Sequence, residues 1–187
     1  MAISLDFDAS QSFLMIEIKA RGMLARLAHD LAIKATDLTV SASMDEGRLA
    51  FDLRVVVAGL RVDGVRKGGV LDKSTLATSD RADIEKKIRS EVLRAEEVRV
   101  KVACDTPTGF FDPGTHELSA LVSVELGRAR TEVRTRASIE ATDARVTAKG
   151  RAIVTLPSLG IAPIKGPLNA FRVDDDVEIV YDLVFTR

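Results

Sequence analysis

Between Arg48 and Ala58 the chain alternates strictly, with Leu49, Phe51, Leu53, Val55 and Val57 on one side and Arg48, Ala50, Asp52 and Arg54 on the other. Successive side chains of a strand point to opposite faces, so a two-residue period describes an extended segment buried on one face. The same period runs through most of the sequence. In residues 12–20, Leu14, Ile16 and Ile18 share one face, and Phe13, Met15, Glu17 and Lys19 the other. Val98, Val100, Val102 and Cys104 repeat it, as does Leu118 to Leu126. Ala129, Thr131, Val133, Thr135, Ala137 and Ile139 then alternate against Arg130, Glu132, Arg134 and Arg136. Residues 144–156 and 177–185 follow suit, and Leu31 to Ser43 carries a weaker version.

These segments amount to roughly eight strands, several longer than the usual ~5–6 residues. Most are joined by short turns such as Met44-Asp45-Glu46-Gly47 and Gly127-Arg128. Long amphipathic strands leave open edges unless the sheet closes on itself. The expected fold is therefore all-β, a roughly eight-stranded antiparallel barrel in a single domain over residues 1–187. A two-layer sandwich is the alternative arrangement.

One stretch departs from this period. Ile84, Ile88, Val92 and Leu93 fall on one helical stripe, with Arg81, Glu85, Lys86, Arg89 and Glu91 mostly off it. The spacing predicts a helix from about Asp80 to Arg94, capped by Ser79 and Asp80 and packed near one end of the barrel. Residues 23–31 read as a loop or helical turn. Residues 59–78, with Gly64, Gly68 and Gly69, read as a long loop, and residues 106–117 as a connection rich in proline and glycine.

A net charge of −1 lacks the basic excess of a nucleic-acid binder and gives no general attraction to an anionic membrane. A single cysteine excludes an intrachain disulfide and a Cys-based zinc site, and Cys104 reads as a small buried hydrophobe. No run approaches the roughly 20 apolar residues of a membrane-spanning helix. The first ten residues show neither a basic nor an apolar signal region. A cytoplasmic location is expected, or a periplasmic one if the chain begins at a cleaved mature terminus.

Groups for catalysis are sparse. His29 and His116 are far apart in sequence and neither has metal-ligand spacing. His29 reads as a loop brace and His116 as a solvated turn residue; no metal site and no cofactor is expected. The GVRKGG run at 64–69 lacks the spacing of a phosphate-binding loop. The inward positions say more. Ala120, Ala129, Ala137, Ala144, Ala148, Gly150 and Ala152 are small, and a barrel of about eight strands either fills with side chains or holds one small ligand.

Several segments resemble the YceI-like, polyisoprenoid-binding, lipocalin-like family. SLGIAP at 158–163 followed by FRVDDDVEIVYDLVF at 171–185 is similar to that family's closing turn and strand. Arg81, Ile84 and Val92-Leu93 match its helix, His29-Asp30 resembles its G-H-D segment with Ala28 in place of glycine, and EGRLAFDLRVVVAGLRV at 46–62 resembles its long second hairpin strand. Glu96-Glu97 stands where the family has tyrosine-proline.

The resemblance implies a lipocalin-like barrel with a helix near one end. Its apolar pore would hold, and in a transport role carry, a polyisoprenoid or fatty acyl chain, with no catalysis. The partner expected is a hydrophobic small molecule or lipid rather than nucleic acid, and a homodimer is left open. The residues expected to meet the ligand are Phe13, Met15, His29, Phe51, Val122, Val133, Val154 and Tyr181. A self-packed barrel that serves as a structural or interaction module is the alternative, and an enzyme using His29 with nearby carboxylates a third.

Overall fold

The computed structural model describes residues 3–21, 30–106, 109–110, 112–166 and 172–187. The chain runs β1 (Ile3–Phe7), β2 (Phe13–Ile18), β3 (Ala20–Arg21), β4 (Asp30–Ala35), β5 (Leu38–Asp45) and β6 (Arg48–Val56). A 3-10 turn (Val57–Gly59) leads to β7 (Leu60–Lys67), β8 (Val70–Asp72) and α1 (Thr78–Lys87), which continues as a π-helical turn (Ile88–Leu93). Then come β9 (Glu97–Asp105), β10 (Gly114–Leu126), β11 (Ala129–Ala141), β12 (Arg145–Thr155), β13 (Arg172–Val173) and β14 (Asp176–Thr186).

Eight strands close a ring in the order β1-β5-β6-β9-β10-β11-β12-β14 and back to β1, every pairing antiparallel. A branch, β2-β4-β7-β8, leaves the same edge of β14 that β1 uses. The branch exists because three neighbouring staves are each broken in two: β1/β2, β4/β5 and β6/β7. Asp8 to Ser12 bridges the first break, where Val184 of β14 donates its N–H to the Ser12 hydroxyl at 2.9 Å and accepts from the Asp8 N–H at 2.9 Å. The other two breaks lie side by side. Thr36 donates its N–H (3.0 Å) and its hydroxyl (2.8 Å) to the Gly59 carbonyl, and Val56 donates to the Asp37 carbonyl at 3.1 Å. A Cβ on Gly59 would sit 2.6 Å from that of Asp37, so the two creases can touch only because position 59 has no side chain.

Beyond this crease β6 and β7 part company. β6 pairs with β9 along its whole length, whereas β7 turns to β4 on one side and to β8 at its far end. The edge of β7 near Val62 is left without a strand, and the helix supplies its polar partners. Glu85 accepts the Val62 N–H at 2.9 Å, and Arg81 donates to the carbonyls of Val62 and Asp63 at 3.2 Å each and to that of Lys73. A half-buried strand edge cannot leave these groups unpaired without cost. This accounts for charged residues within an otherwise apolar interface.

Three expectations need correction. Residues 59–78 are not a loop: they hold β7 and β8. A bulge between Val62 and Gly64 opposite Ile33 and Ala32 breaks the alternation that would have revealed the strand. Leu31 to Ser43 is two strands, divided at Thr36 and Asp37. The helix begins earlier than expected, at Thr78; its N-cap is Ala77, without a side-chain cap, so Ser79 and Asp80 lie inside the first turn. Its end, at Arg94 in the left-handed conformation, agrees with the expected boundary.

If Glu85 serves β7 as a backbone acceptor, Glu85→Ala should lower stability by about 1–3 kcal/mol, the cost of a buried N–H left unpaired. Glu85→Gln keeps an acceptor oxygen and should recover most of the loss in urea unfolding.

Candidate functional site

The inward faces of the staves do not meet. They surround a cavity of about 850 Å³, within the ~300–1,000 Å³ range of small-molecule sites. β14 contributes Val177, Ile179, Tyr181, Leu183 and Phe185, alternate residues as the period requires. Val133, Thr135, Ala137 and Ile139 come from β11, and Val98, Val100 and Val102 from β9. The helical stripe closes one side: Ile84, Ile88, Val92 and Leu93 all line the cavity, which the sequence anticipated as packing against the barrel. Phe110, 3% exposed, lines it from the connection before β10.

Polar side chains in this lining are few: Lys87, Thr135, Lys165 and Tyr181. The two hydroxyls form a pair, with Tyr181 and Thr135 oxygens 2.9 Å apart and Thr135 able to donate as well to the Arg151 carbonyl at 3.2 Å. Either hydroxyl can donate within that pair. The phenol reaches across β12 at Gly150, its cross-strand neighbour. A Cβ at Gly150 would lie 2.3 Å from the Tyr181 hydroxyl and 2.6 Å from the Arg136 carbonyl. Gly150 is thus needed because the ring occupies its side-chain space. Burial raises the Tyr181 pKa above its ordinary value, against the opposing effect of the Thr135 hydrogen bond.

The sequence-derived residues divide. Phe51, Val122, Val133, Val154 and Tyr181 stand together around the cavity. Phe13 and Met15 do not: they occupy the outer face of β2, with Phe13 37% exposed, and Leu14 and Ile16 face inward in their place. The alternation of β2 already held this answer, since Leu14, Ile16 and Ile18 form its uninterrupted apolar face. His29 lies outside the described residues. His116 is in β10 rather than a turn, half-buried, with Nε2 donating to the Asp112 carbonyl at 3.0 Å beside the Phe110 ring.

Of the small residues, Ala120, Ala137, Ala148 and Ala152 line the cavity and Ala129 and Ala144 do not. Cys104 is half-buried, and burial pushes its thiol pKa up, away from the reactive thiolate. Among the described residues no three potential metal ligands cluster, and no helix is long and apolar enough to cross a membrane. Sequence reasoning missed Phe110 and the lysines, because nothing local marks a loop or helix-end residue as facing a lumen.

No protein-family model and no curated protein sequence matches the chain. Solved structures do. BcnA of Burkholderia cenocepacia superposes with a TM-score of 0.66 at 11% identity, covering 96% of this chain and 99% of its own. A polyisoprenoid-binding domain from Saccharophagus degradans, implicated in plant cell wall breakdown, gives 0.64 at 9% identity, with 98% and 97% covered. At these identities the shared property is the fold: a lipocalin-like barrel with one helix, as the resemblance in sequence implied.

Gly150→Ala should cost about 1–3 kcal/mol by forcing the Tyr181 ring aside against a backbone carbonyl that cannot yield. Differential scanning calorimetry would read this loss. Tyr181 is the only tyrosine and the chain has no tryptophan, so the ultraviolet absorbance gained when a phenol ionises reports this residue alone. It should ionise above the ordinary ~10. Because the folded pKa is the raised one, the associated stability is fully present below pH ~10 and declines as pH rises through the folded value. Normal titration of Tyr181 in the folded chain would contradict the buried pair.

Proposed function

We propose that the protein is a non-enzymatic carrier that holds a long apolar or amphiphilic chain, a polyisoprenoid or similar lipid, in its barrel. The observation that carries this reading is the apolar cavity of about 850 Å³ and its nearly continuous aliphatic lining. A self-packed barrel fits poorly with a space of that size. At ~24 cal/mol per Å³, a dry void of 850 Å³ would cost about 20 kcal/mol. That exceeds the ~5–15 kcal/mol by which domains are usually stable. Water makes few hydrogen bonds against such a lining, so a hydrocarbon chain is the better occupant. The polyisoprenoid-binding description of the Saccharophagus degradans structure supports the same class of occupant, given the common fold. Catalysis is not part of this reading, since the solved structure that supports it is described as a binding domain.

Mass spectrometry of an organic extract of the purified protein tests this directly and should show a co-purifying lipid. Affinity across a homologous series of prenyl or acyl chains should rise by up to about fourfold per buried methylene, from ~0.8 kcal/mol each, less the cost of ordering the chain. It should level off when the cavity is full. Tryptophan at Val122, Val133 or Val154 should abolish binding while leaving the fold intact by circular dichroism. Binding that ignores chain length, or that survives all three substitutions, would remove the carrier reading.

A further inference from the structure

The β-ladder of the barrel wall is not continuous all the way round. β11 and β12 pair from Ala141↔Val146 to Arg136↔Arg151, and there the ladder stops. Past that point β11 continues to Ala129 on β10 alone, and β12 to Thr155 on β14 alone. Residues 129–135 thus lack a strand partner on that side; the 3-10 turn Leu156–Leu159 that follows β12 packs against this part of β11 instead, with Leu159 buried beside Val133 and Val154. A surface cleft occupies the split, and Val133, Thr135 and Ala152 border both this cleft and the interior cavity. Thr135, whose hydroxyl bonds the Arg151 carbonyl, sits at its apex.

The outer rim of this cleft is cationic. Arg134, Arg136 and Arg151 line it, with Glu132 and Glu178 as the facing carboxylates. Glu178 is taken by Arg151, at 2.9 Å. Arg136 stands directly opposite Arg151 in register, a like-charged cross-strand pair that is unfavourable by itself. Neither Arg134 nor Arg136 has an ion-pair partner among the described residues. An anion placed between them would relieve the repulsion, and a guanidinium matches the geometry of a phosphate or carboxylate.

We propose that the seam between β11 and β12 is the headgroup site: the bound amphiphile leaves the cavity there, with an anionic head on Arg134 and Arg136. This rests on the carrier reading and adds to it a ligand class, a chain with a phosphate or carboxylate terminus. It also assigns the exit to the side of the barrel rather than to Lys87 and Lys165, the other cations of the lining.

The test titrates the full chain with geranylgeraniol and geranylgeranyl phosphate, followed by the emission of Tyr181. The phosphate should bind more tightly than the alcohol. The double variant Arg134→Ala/Arg136→Ala should weaken the phosphate by about ten- to hundredfold and leave the alcohol unchanged, which also confirms its fold. Lys87→Ala/Lys165→Ala should retain the preference, and inorganic phosphate at matched concentration should not compete. Equal binding of the two probes by the unmodified chain would overturn the proposal. So would loss of the preference in the lysine variant alone, or competition by free phosphate, which would mark an independent anion site. If neither probe binds, the carrier reading falls, and the headgroup site with it.

Discussion

Much of the architecture depends on one crowded contact, the meeting of Gly59 with Thr36 and Asp37. There the β4/β5 and β6/β7 staves bend together, tied by hydrogen bonds to the Gly59 and Asp37 carbonyls. The space for this contact exists because residue 59 is glycine. β6 already pairs with every residue of β9, so past the bend β7 has no strand on that side. There the sheet splays, and the opening is filled by α1 and its π-helical continuation. The helix therefore acts as a ninth piece of wall. Its apolar stripe joins the cavity lining, and its charged residues substitute for the strand that β7 lacks.

The same logic explains why so apolar a cavity tolerates a phenol. Tyr181 projects from β14 into a hydrocarbon environment, where an unpaired hydroxyl would be costly. The missing side chain of Gly150 lets the ring lie across β12 and reach Thr135. The three positions lie on three adjacent strands, and each constrains the others. Gly150 supplies the space, Thr135 the partner, and Tyr181 the bulk that fills what would otherwise be further void.

Barrel closure is distributed unevenly around the ring. β10 pairs with all of β11 but with only the first part of β9, from Val98 to Lys101. The gap beyond that lies next to the connection that carries buried Phe110. The gap beside β7 is filled by the helix. The split between β11 and β12 has instead a polar rim over a cavity wall of Val133, Thr135 and Ala152. Apolar groups back all three interruptions, and the split between β11 and β12 is the one rimmed outside by Arg134 and Arg136, which have no ion-pair partner among the described residues.

Period-two alternation was enough to determine the all-β character, most of the strands, and which face of β6, β10, β11, β12 and β14 is apolar. Side-chain direction in a strand is set by local geometry, so those assignments need no knowledge of partners. The helix was legible for the same reason, its stripe having a period of its own. What the sequence could not determine were features fixed by neighbours distant in the chain. β7 reads as a loop because a bulge interrupts its period, and it becomes a strand through pairing with β4. Gly150 looks like one more small lining residue, yet its role is set by Tyr181, thirty-one positions away in sequence and directly opposite in register. Local periodicity encodes which face of each strand is apolar; the size of the space those faces enclose, and where its wall stays open, follow from strand register, which tertiary closure alone sets.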